Sequence, residues 1–304
     1  GGRRTEKPSA HVGAEWDIGT DVRIAHIFRD SPLWLHRDKV RPGDKLIGVN
    51  GMEVDAGDNI WKLFNRDRDK RLRLRFRKKG GKEEVSVAVK PISSGAEKNL
   101  RREEWVRSRR NVVKKKTDDQ IAYIYMSAMG SGNLKKFLKE LERDAVPRKG
   151  LILDLRYNMG GNVHDRVLGA LTKPVYAKWK VRGMKMSKQS TFGFADKPVV
   201  LITNEVTLSD GEMTTSGFKE LKRGTVVGNT TYGWLIFTTG ASLMNGGYFR
   251  LPFEGCYTLD GRNLERIGGV KPDITVINTI EDDLKERDPQ LEKAVEVILK
   301  DIKE

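Results

Sequence analysis

Leu151-Ile-Leu-Asp-Leu-Arg-Tyr-Asn-Met-Gly-Gly161 is the stretch from which the architecture of this chain is read. Its first half, Leu151 to Arg156, is a short apolar run of the kind that forms a buried strand. It leads straight into Gly160-Gly161, and two glycines after a strand let the backbone approach a ligand closely, with N–H groups free to form an anion pocket. Taken alone, a Gly-Gly pair is equally a tight turn.

A second strand of the same character, Val199-Val-Leu-Ile-Thr203, precedes Asn204-Glu-Val-Thr-Leu-Ser-Asp-Gly-Glu212 and a helix. Ser209 and Glu212 have capping-box spacing, which by itself explains a serine there. A serine at such a turn also stands exposed at the C-terminal edge of the sheet. There the N–H groups of Asp210 and of the Gly160-Gly161 turn can stabilise an oxyanion. Around these two segments, apolar runs alternate with helices: Ile121 to Met126, Asn133 to Glu142, Val163 to Leu171 and Glu212 to Leu221. That alternation predicts an α/β domain with a largely parallel sheet. The last segment, Asp288-Pro289 to Ile302, places Leu291, Ala294, Val295, Ile298 and Ile302 on one helical face, which predicts docking on the core.

Upstream the period changes from helical to alternating. Val22 to Phe28 alternates, and Leu72 to Phe76 with Val85 to Val89 reads as a hairpin around Gly80-Gly81. Pro42-Gly-Asp-Lys-Leu-Ile-Gly-Val-Asn-Gly51, preceded by Ser31-Pro32, resembles the signature of PDZ domains, which capture peptide C-termini by adding a strand to a sheet edge. Pro91 to Thr117 is a charged connector that turns helical around Arg102 to Val113. The expected organisation is an N-terminal tail over 1–12, a PDZ-like domain over 13–95, the connector over 96–118 and the α/β domain over 119–304.

Composition sets bounds on function. The 304 residues suggest roughly two domains at about 150 residues each. Hydrophobic residues at 38% beside charged residues at 33% exclude a collagenous or low-complexity chain. Cys256 is the only cysteine, which excludes an internal disulfide and a cysteine-based zinc site. No run approaches the ~18 to 20 apolar residues of a spanning helix, so membrane insertion is not expected. The opening Gly1-Gly-Arg-Arg-Thr-Glu-Lys-Pro8 lacks the apolar stretch of a signal peptide; without an initiator Met it leaves room for an upstream segment. The net charge of +15 concentrates in Arg71 to Lys79, an alternating strand with a solvated basic face, and in Arg101 to Lys116. Neither cluster carries zinc-finger spacing or an aromatic RNA-binding signature, so no nucleic-acid partner is expected.

The ordered set Leu151 to Gly161, Ser209-Asp-Gly-Glu212, Gly228-Asn-Thr-Thr-Tyr-Gly233 and Gly269-Val-Lys-Pro-Asp273 resembles the tail-specific and tricorn serine peptidases. Asp288-Pro-Gln-Leu-Glu-Lys-Ala294 resembles the tricorn branch in particular. The resemblance implies a crotonase-like α/β protease domain, mostly parallel in its sheet, behind a small, mainly β, PDZ-like domain. It implies Ser209 as nucleophile, the N–H groups of Gly161 and Asp210 as oxyanion donors, and no cofactor or metal. Where the Ser–Lys branch has its lysine base, this chain has Trp234, which cannot take a proton; the resemblance therefore points to a histidine base held through a hydroxyl, with Glu265 in the supporting region. Of the four histidines, His26 and His36 fall in the PDZ-like region, and only His11 precedes it, with Ser9 two positions before. The resemblance places the base ahead of the PDZ-like domain, and so implies His11 or a histidine of an upstream segment. Gly160, Gly161, His164 and Trp234 are the expected substrate contacts.

The function implied is hydrolysis of peptide bonds in oligopeptides or unfolded protein. Tyr176-Ala-Lys-Trp-Lys180 occupies the stretch where relatives keep an acid for basic side chains, which argues against a trypsin-like preference. The alternative is a catalytically inactive, PDZ-containing scaffold that binds peptides, since turn and cap would retain Gly160, Gly161 and Ser209 without catalysis. A homo-oligomer and a cytoplasmic location, with the periplasm as alternative, complete what the resemblance implies.

Overall fold

The computed structural model describes residues 9–189 and 192–303; residues 1–8 of the expected tail, Ser190, Thr191 and Glu304 lie outside the described residues. The chain forms two compact units, Gly1–Ser108 and Arg109–Glu304.

In the first unit, antiparallel strands follow the alternation of the sequence. Strands β1 (Ala10–His11), β2 (Ala14–Ile18), β3 (Val22–Ile27), β4 (Lys45–Val49) and β5 (Met52–Glu53) precede helix α1 (Ile60–Arg66), and β6 (Leu72–Arg77), β7 (Glu84–Val89) and β8 (Ile92–Ser93) follow it. The main sheet runs β2-β3-β4-β6-β7, β5 pairs with β4, and β1 pairs with β8. In β6, Leu72, Leu74 and Phe76 are fully buried while the arginines face outward: Arg75 pairs with Glu53, and Arg77 Nη2 donates to Glu84 at 2.9 Å. Asn59 caps α1 by accepting from the Lys62 N–H at 3.2 Å, and Ile60 and Phe64 close the same core.

Helix α2 (Ser94–Lys116) contains the boundary between the units and begins eight residues before the expected Arg102. It carries charge on every side and so lacks the apolar stripe by which a helix start is read.

The second unit winds β9 (Ile121–Tyr125), α3 (Ser131–Glu140), a π-turn over Leu141–Ala145, β10 (Gly150–Asp154), α4 (His164–Thr172), the β11 (Ala177–Trp179) and β12 (Ser187–Gln189) hairpin, β13 (Val199–Thr203), α5 (Asp210–Glu220) and β14 (Thr225–Gly228). A second hairpin, β15 (Ile236–Ser242) with β16 (Tyr248–Gly255), then β17 (Ile274–Thr275), α6 (Ile280–Leu284) and α7 (Pro289–Asp301) complete it. Five strands form a wholly parallel sheet in the order β17-β14-β13-β10-β9. Because each crossover moves to the adjacent strand in one direction, right-handed connections stack α3, α4 and α5 on one face. Leu151, Leu153, Leu201 and Val226 meet Phe137, Val167 and Phe218 on that side. Alternate residues Ile152, Val200, Ile202 and Val227 are equally buried beneath α7, which packs on β10, β13 and β14 through its Leu291, Ala294, Val295 and Ile298 face.

A buried ion network fastens α7 to the end of β10. The Arg156 guanidinium, 2% exposed, donates to Asp154 at 2.7 Å and to both oxygens of Asp288 at 2.7 and 3.1 Å. Asp288 also caps α7 by accepting from the Leu291 N–H at 3.1 Å, and Tyr123 Oη donates to Asp154 at 2.8 Å. Burial pulls the Arg156 guanidinium toward neutrality, but the carboxylates of Asp154 and Asp288 outweigh it and raise it well above its ordinary value. Among the described residues no helix is long and apolar enough to cross a membrane.

Candidate active site

In a parallel sheet, ligands bind beyond the C-terminal ends of the strands, because there the loops converge and the helix N-termini point outward. Three such loops meet here, after β10, β13 and β14. Asn158, fully buried, stitches the first two: its Nδ2 donates to Met126 O at 2.7 Å, its Oδ1 accepts from Gly160 N at 2.9 Å, and its carbonyl accepts from Leu208 N at 3.0 Å. Thr207 Oγ1 adds a bond to Leu155 O at 2.9 Å.

These bonds set Ser209 against Gly160. A Cβ on Gly160 would lie 2.6 Å from Ser209 Cβ and 3.1 Å from its Oγ, so only glycine admits the serine there. Ser209 itself, the N-cap of α5, holds φ 53° and ψ −120°, a conformation that costs a residue with a side chain about 1 to 3 kcal/mol. A strained strand-to-helix turn of this kind presents its side chain above the sheet. Among the described residues, the N–H groups of Gly161 and Asp210, in the two turns that meet where Gly160 packs on Ser209, have no hydrogen-bond acceptor.

Gly161 is fixed from behind, since Met129 N donates to Gly160 O at 2.7 Å and Asn162 N to Met129 O at 2.9 Å. A Cβ on Gly161 would fall 2.1 Å from Met129 O, and its φ is +153°. Gly161→Ala is therefore expected to destabilise the protein by about 1 to 3 kcal/mol and to turn its N–H away from Ser209. Thermal unfolding together with the reactivity of Ser209 checks both effects.

The Asp210 carboxylate, 1% exposed, organises the start of α4. Its Oδ2 accepts from Val163 N at 2.7 Å and His164 N at 3.1 Å, and its Oδ1 meets His164 Nδ1 at 2.5 Å. With Nδ1 engaged, the part-exposed His164 ring presents Nε2.

Glu212 reaches further than a cap. Its Oε2 accepts from the Ser209 and Trp234 N–H groups, each at 2.9 Å, and its Oε1 accepts from Thr231 Oγ1 at 2.8 Å and Gly233 N at 2.7 Å. Thr231 in turn accepts from Val270 N at 2.7 Å, which joins the Gly-Val-Lys-Pro-Asp segment to the same assembly. Trp234 is thus brought beside Ser209 through its backbone; the residue is 47% exposed and its ring lies 6.1 Å from that of Tyr232. The carboxylate of Glu265 has no partner among the described residues, while its backbone turns on Asn263 Oδ1 at 3.0 Å.

His11 lies in the first unit with both ring nitrogens occupied: Nε2 by Ser9 Oγ at 3.0 Å and Nδ1 by Glu97 Oε1 at 2.8 Å, with Glu97 Oε2 accepting from Gly13 N at 3.0 Å. The structure therefore gathers Ser209, Gly160, Gly161, Asp210, His164 and the backbone of Trp234, and gives His11 local partners of its own. Sequence reasoning did not find Asn158 or the second half of Glu212. An Asn two residues before Gly160 was the available signal for the former.

Residues 120–276 match peptidase family S41. The chain is 30% identical over 277 residues to tricorn protease homolog 1 of Streptomyces coelicolor and 27% identical over 258 residues to the tricorn protease of Thermoplasma acidophilum. These alignments take in 90% and 84% of this chain but 25% and 23% of the relatives, so the chain spans about a quarter of their length. The carboxy-terminal processing protease CtpB of Bacillus subtilis is 25% identical over 87% of this chain and 55% of its own. A crystal structure of the tricorn protease shares the fold at a TM-score of 0.85 and 22% identity, covering 98% of this chain and 29% of that one. The matched residues 120–276 form the parallel-sheet body that carries Ser209 and its glycine turn, and the chain belongs to peptidase family S41.

Proposed function

We propose that this chain carries the nucleophile of a serine peptidase acting on oligopeptides or unfolded protein. Ser209 Oγ attacks the scissile carbonyl and a histidine takes its proton. The N–H groups of Gly161 and Asp210 receive the negative oxygen of the tetrahedral intermediate, a contribution of ~3 to 4 kcal/mol per donor in well-studied enzymes. Collapse of the intermediate returns the proton to the leaving amine, and water then releases the acyl group. The observation that carries this reading is the strained backbone of Ser209, packed on Gly160, together with the N–H groups of Gly161 and Asp210, which have no acceptor among the described residues.

His11 is the histidine of this chain assigned as base and Glu265 is assigned to hold it through a hydroxyl, as the family resemblance implies. Gly160, His164 and Trp234 line the acyl side. The first unit is read as PDZ-like over 13–95, with a mostly apolar groove of about 540 Å³ beside Pro32, Leu35, Val89 and Pro91 for a peptide end.

A fluorophosphonate probe tests the reading. The expected result is a single adduct on Ser209, located by peptide mass spectrometry and absent from Ser209→Ala, with the rate in His11→Ala and His164→Ala assigning the base. An adduct on Ser9, whose hydroxyl meets His11 Nε2 at 3.0 Å, would move the nucleophile to the first unit. A folded chain that takes up no probe at all would end the claim that it assembles an activated serine.

A further inference from the structure

We propose that Glu212 is a positioning residue for Ser209, holding the nucleophile turn and the Thr231–Trp234 loop in register; this rests on the reading of Ser209 as nucleophile. A capping box needs one carboxylate oxygen on one N–H. Glu212 accepts four bonds, and three of the donors, Thr231 Oγ1, Gly233 N and Trp234 N, come from the loop after β14. That loop is itself constrained: Tyr232 N donates to Thr207 O at 2.9 Å, and a Cβ on Gly233 would lie 2.9 Å from the Gly268 carbonyl carbon.

The Ser209 and Trp234 N–H groups end on the same oxygen, so the loop cannot shift without disturbing the bond that keeps residue 209 at positive φ. The Asp210 N–H is the next donor along the chain and moves with it. Glu212 is 1% exposed, so water does not compete with the four donors for its carboxylate. Glu212 thereby transmits the position of the loop carrying Tyr232 and Trp234 to the geometry of the nucleophile.

Glu212→Gln preserves shape but sets an NH2 group against donors that need an acceptor. In the full chain its fluorophosphonate labelling should show an inactivation rate constant (kinact) at least tenfold lower, with the half-saturation concentration of the probe within twofold of wild type. A purely structural role would lower Tm and leave both labelling constants of the folded protein unchanged, which would overturn the proposal; so would a change in half-saturation alone.

A thermal cycle with Ser209→Gly gives a second, label-free readout. If Glu212 holds a strained serine, removing the clamp lets the turn relax and offsets part of the loss in wild type, but glycine has no strain to release. The Tm loss from Glu212→Gln should therefore be larger in the Ser209→Gly background, and equal losses would overturn the proposal. Wild-type protein that refuses the probe would count against Ser209 as nucleophile, and the cycle would still decide whether Glu212 holds it.

Discussion

Asp288→Ala is expected to destabilise the second unit by about 3 to 5 kcal/mol, because it leaves the buried Arg156 guanidinium with half its counter-charge and strips the cap from α7. Five donor groups converge on that carboxylate: Arg156 Nη1 and Nη2, Arg109 Nε at 3.1 Å, Asn278 Nδ2 at 3.0 Å and the Leu291 N–H. At roughly 2 to 4 °C per kcal/mol for a unit of this size, Tm should fall by about 6 to 20 °C. Glu292→Ala, which removes only the exposed partner of Lys116 on the same helix, should stay within about 0.5 kcal/mol. A drop for Asp288→Ala no larger than that of Glu292→Ala would show that the network does not hold α7.

The same carboxylate gives stability a pH dependence whose sign is determined. Burial pushes the Asp288 carboxyl up, but the Arg156 guanidinium and the bonds from Asn278 and Leu291 outweigh it and hold it below its ordinary value. A group depressed in the folded state contributes fully above its unfolded pKa, near 3.9, and loses that contribution as pH falls through the lower folded value. Wild-type protein should therefore lose stability steeply below about pH 4. In Asp288→Asn, which keeps an acceptor for the cap but cannot titrate, that part of the acid slope should be missing, as denaturant titration at pH 3 and 6 would show.

The network also marks where sequence reading stops. The alternation of apolar runs with helices announced the parallel sheet, because strands buried on both faces must be apolar throughout. The periodic face of α7 announced its docking for the same reason. Asp154, Arg156 and Asp288 are individually ordinary. Their meeting spans 132 positions between Arg156 and Asp288 and depends on the completed fold. Glu212 is a further case of the same limit: its capping half is local and legible, but its other donors lie 19 to 22 residues away. The β15–β16 hairpin escaped for the opposite reason. Every residue of β16 is exposed, so its sequence carries no period-2 burial, and Pro252 interrupts the run.

Ser209→Gly should separate activity from stability. As the proposed nucleophile, Ser209 is expected to account for a fall in the proposed peptidase activity of on the order of 10⁴-fold or more when removed, as in enzymes whose catalytic serine acts as part of a unit. The backbone should respond in the other direction. At φ 53° and ψ −120° a serine carries about 1 to 3 kcal/mol of strain that glycine does not, offset by the greater chain entropy glycine loses on folding, about 0.5 to 1 kcal/mol. Glycine also serves as an N-cap at a cost of only a few tenths of a kcal/mol relative to serine. The balance favours the variant by about 1 kcal/mol, or roughly 2 to 4 °C in Tm. Ser209→Ala is the control, since alanine loses the hydroxyl but keeps the Cβ and the strain; it should be as inactive and no more stable than wild type. Equal Tm values for the glycine and alanine variants would mean that the turn is not strained, and would remove the main reason for reading this serine as more than a cap. The opposite signs follow from one cause: at this position the conformation best served by glycine is occupied by a residue with a hydroxyl, and the fold tolerates it because Glu212 accepts from the Ser209 N–H, Asn158 O accepts from the Leu208 N–H and Gly160 leaves room for the side chain.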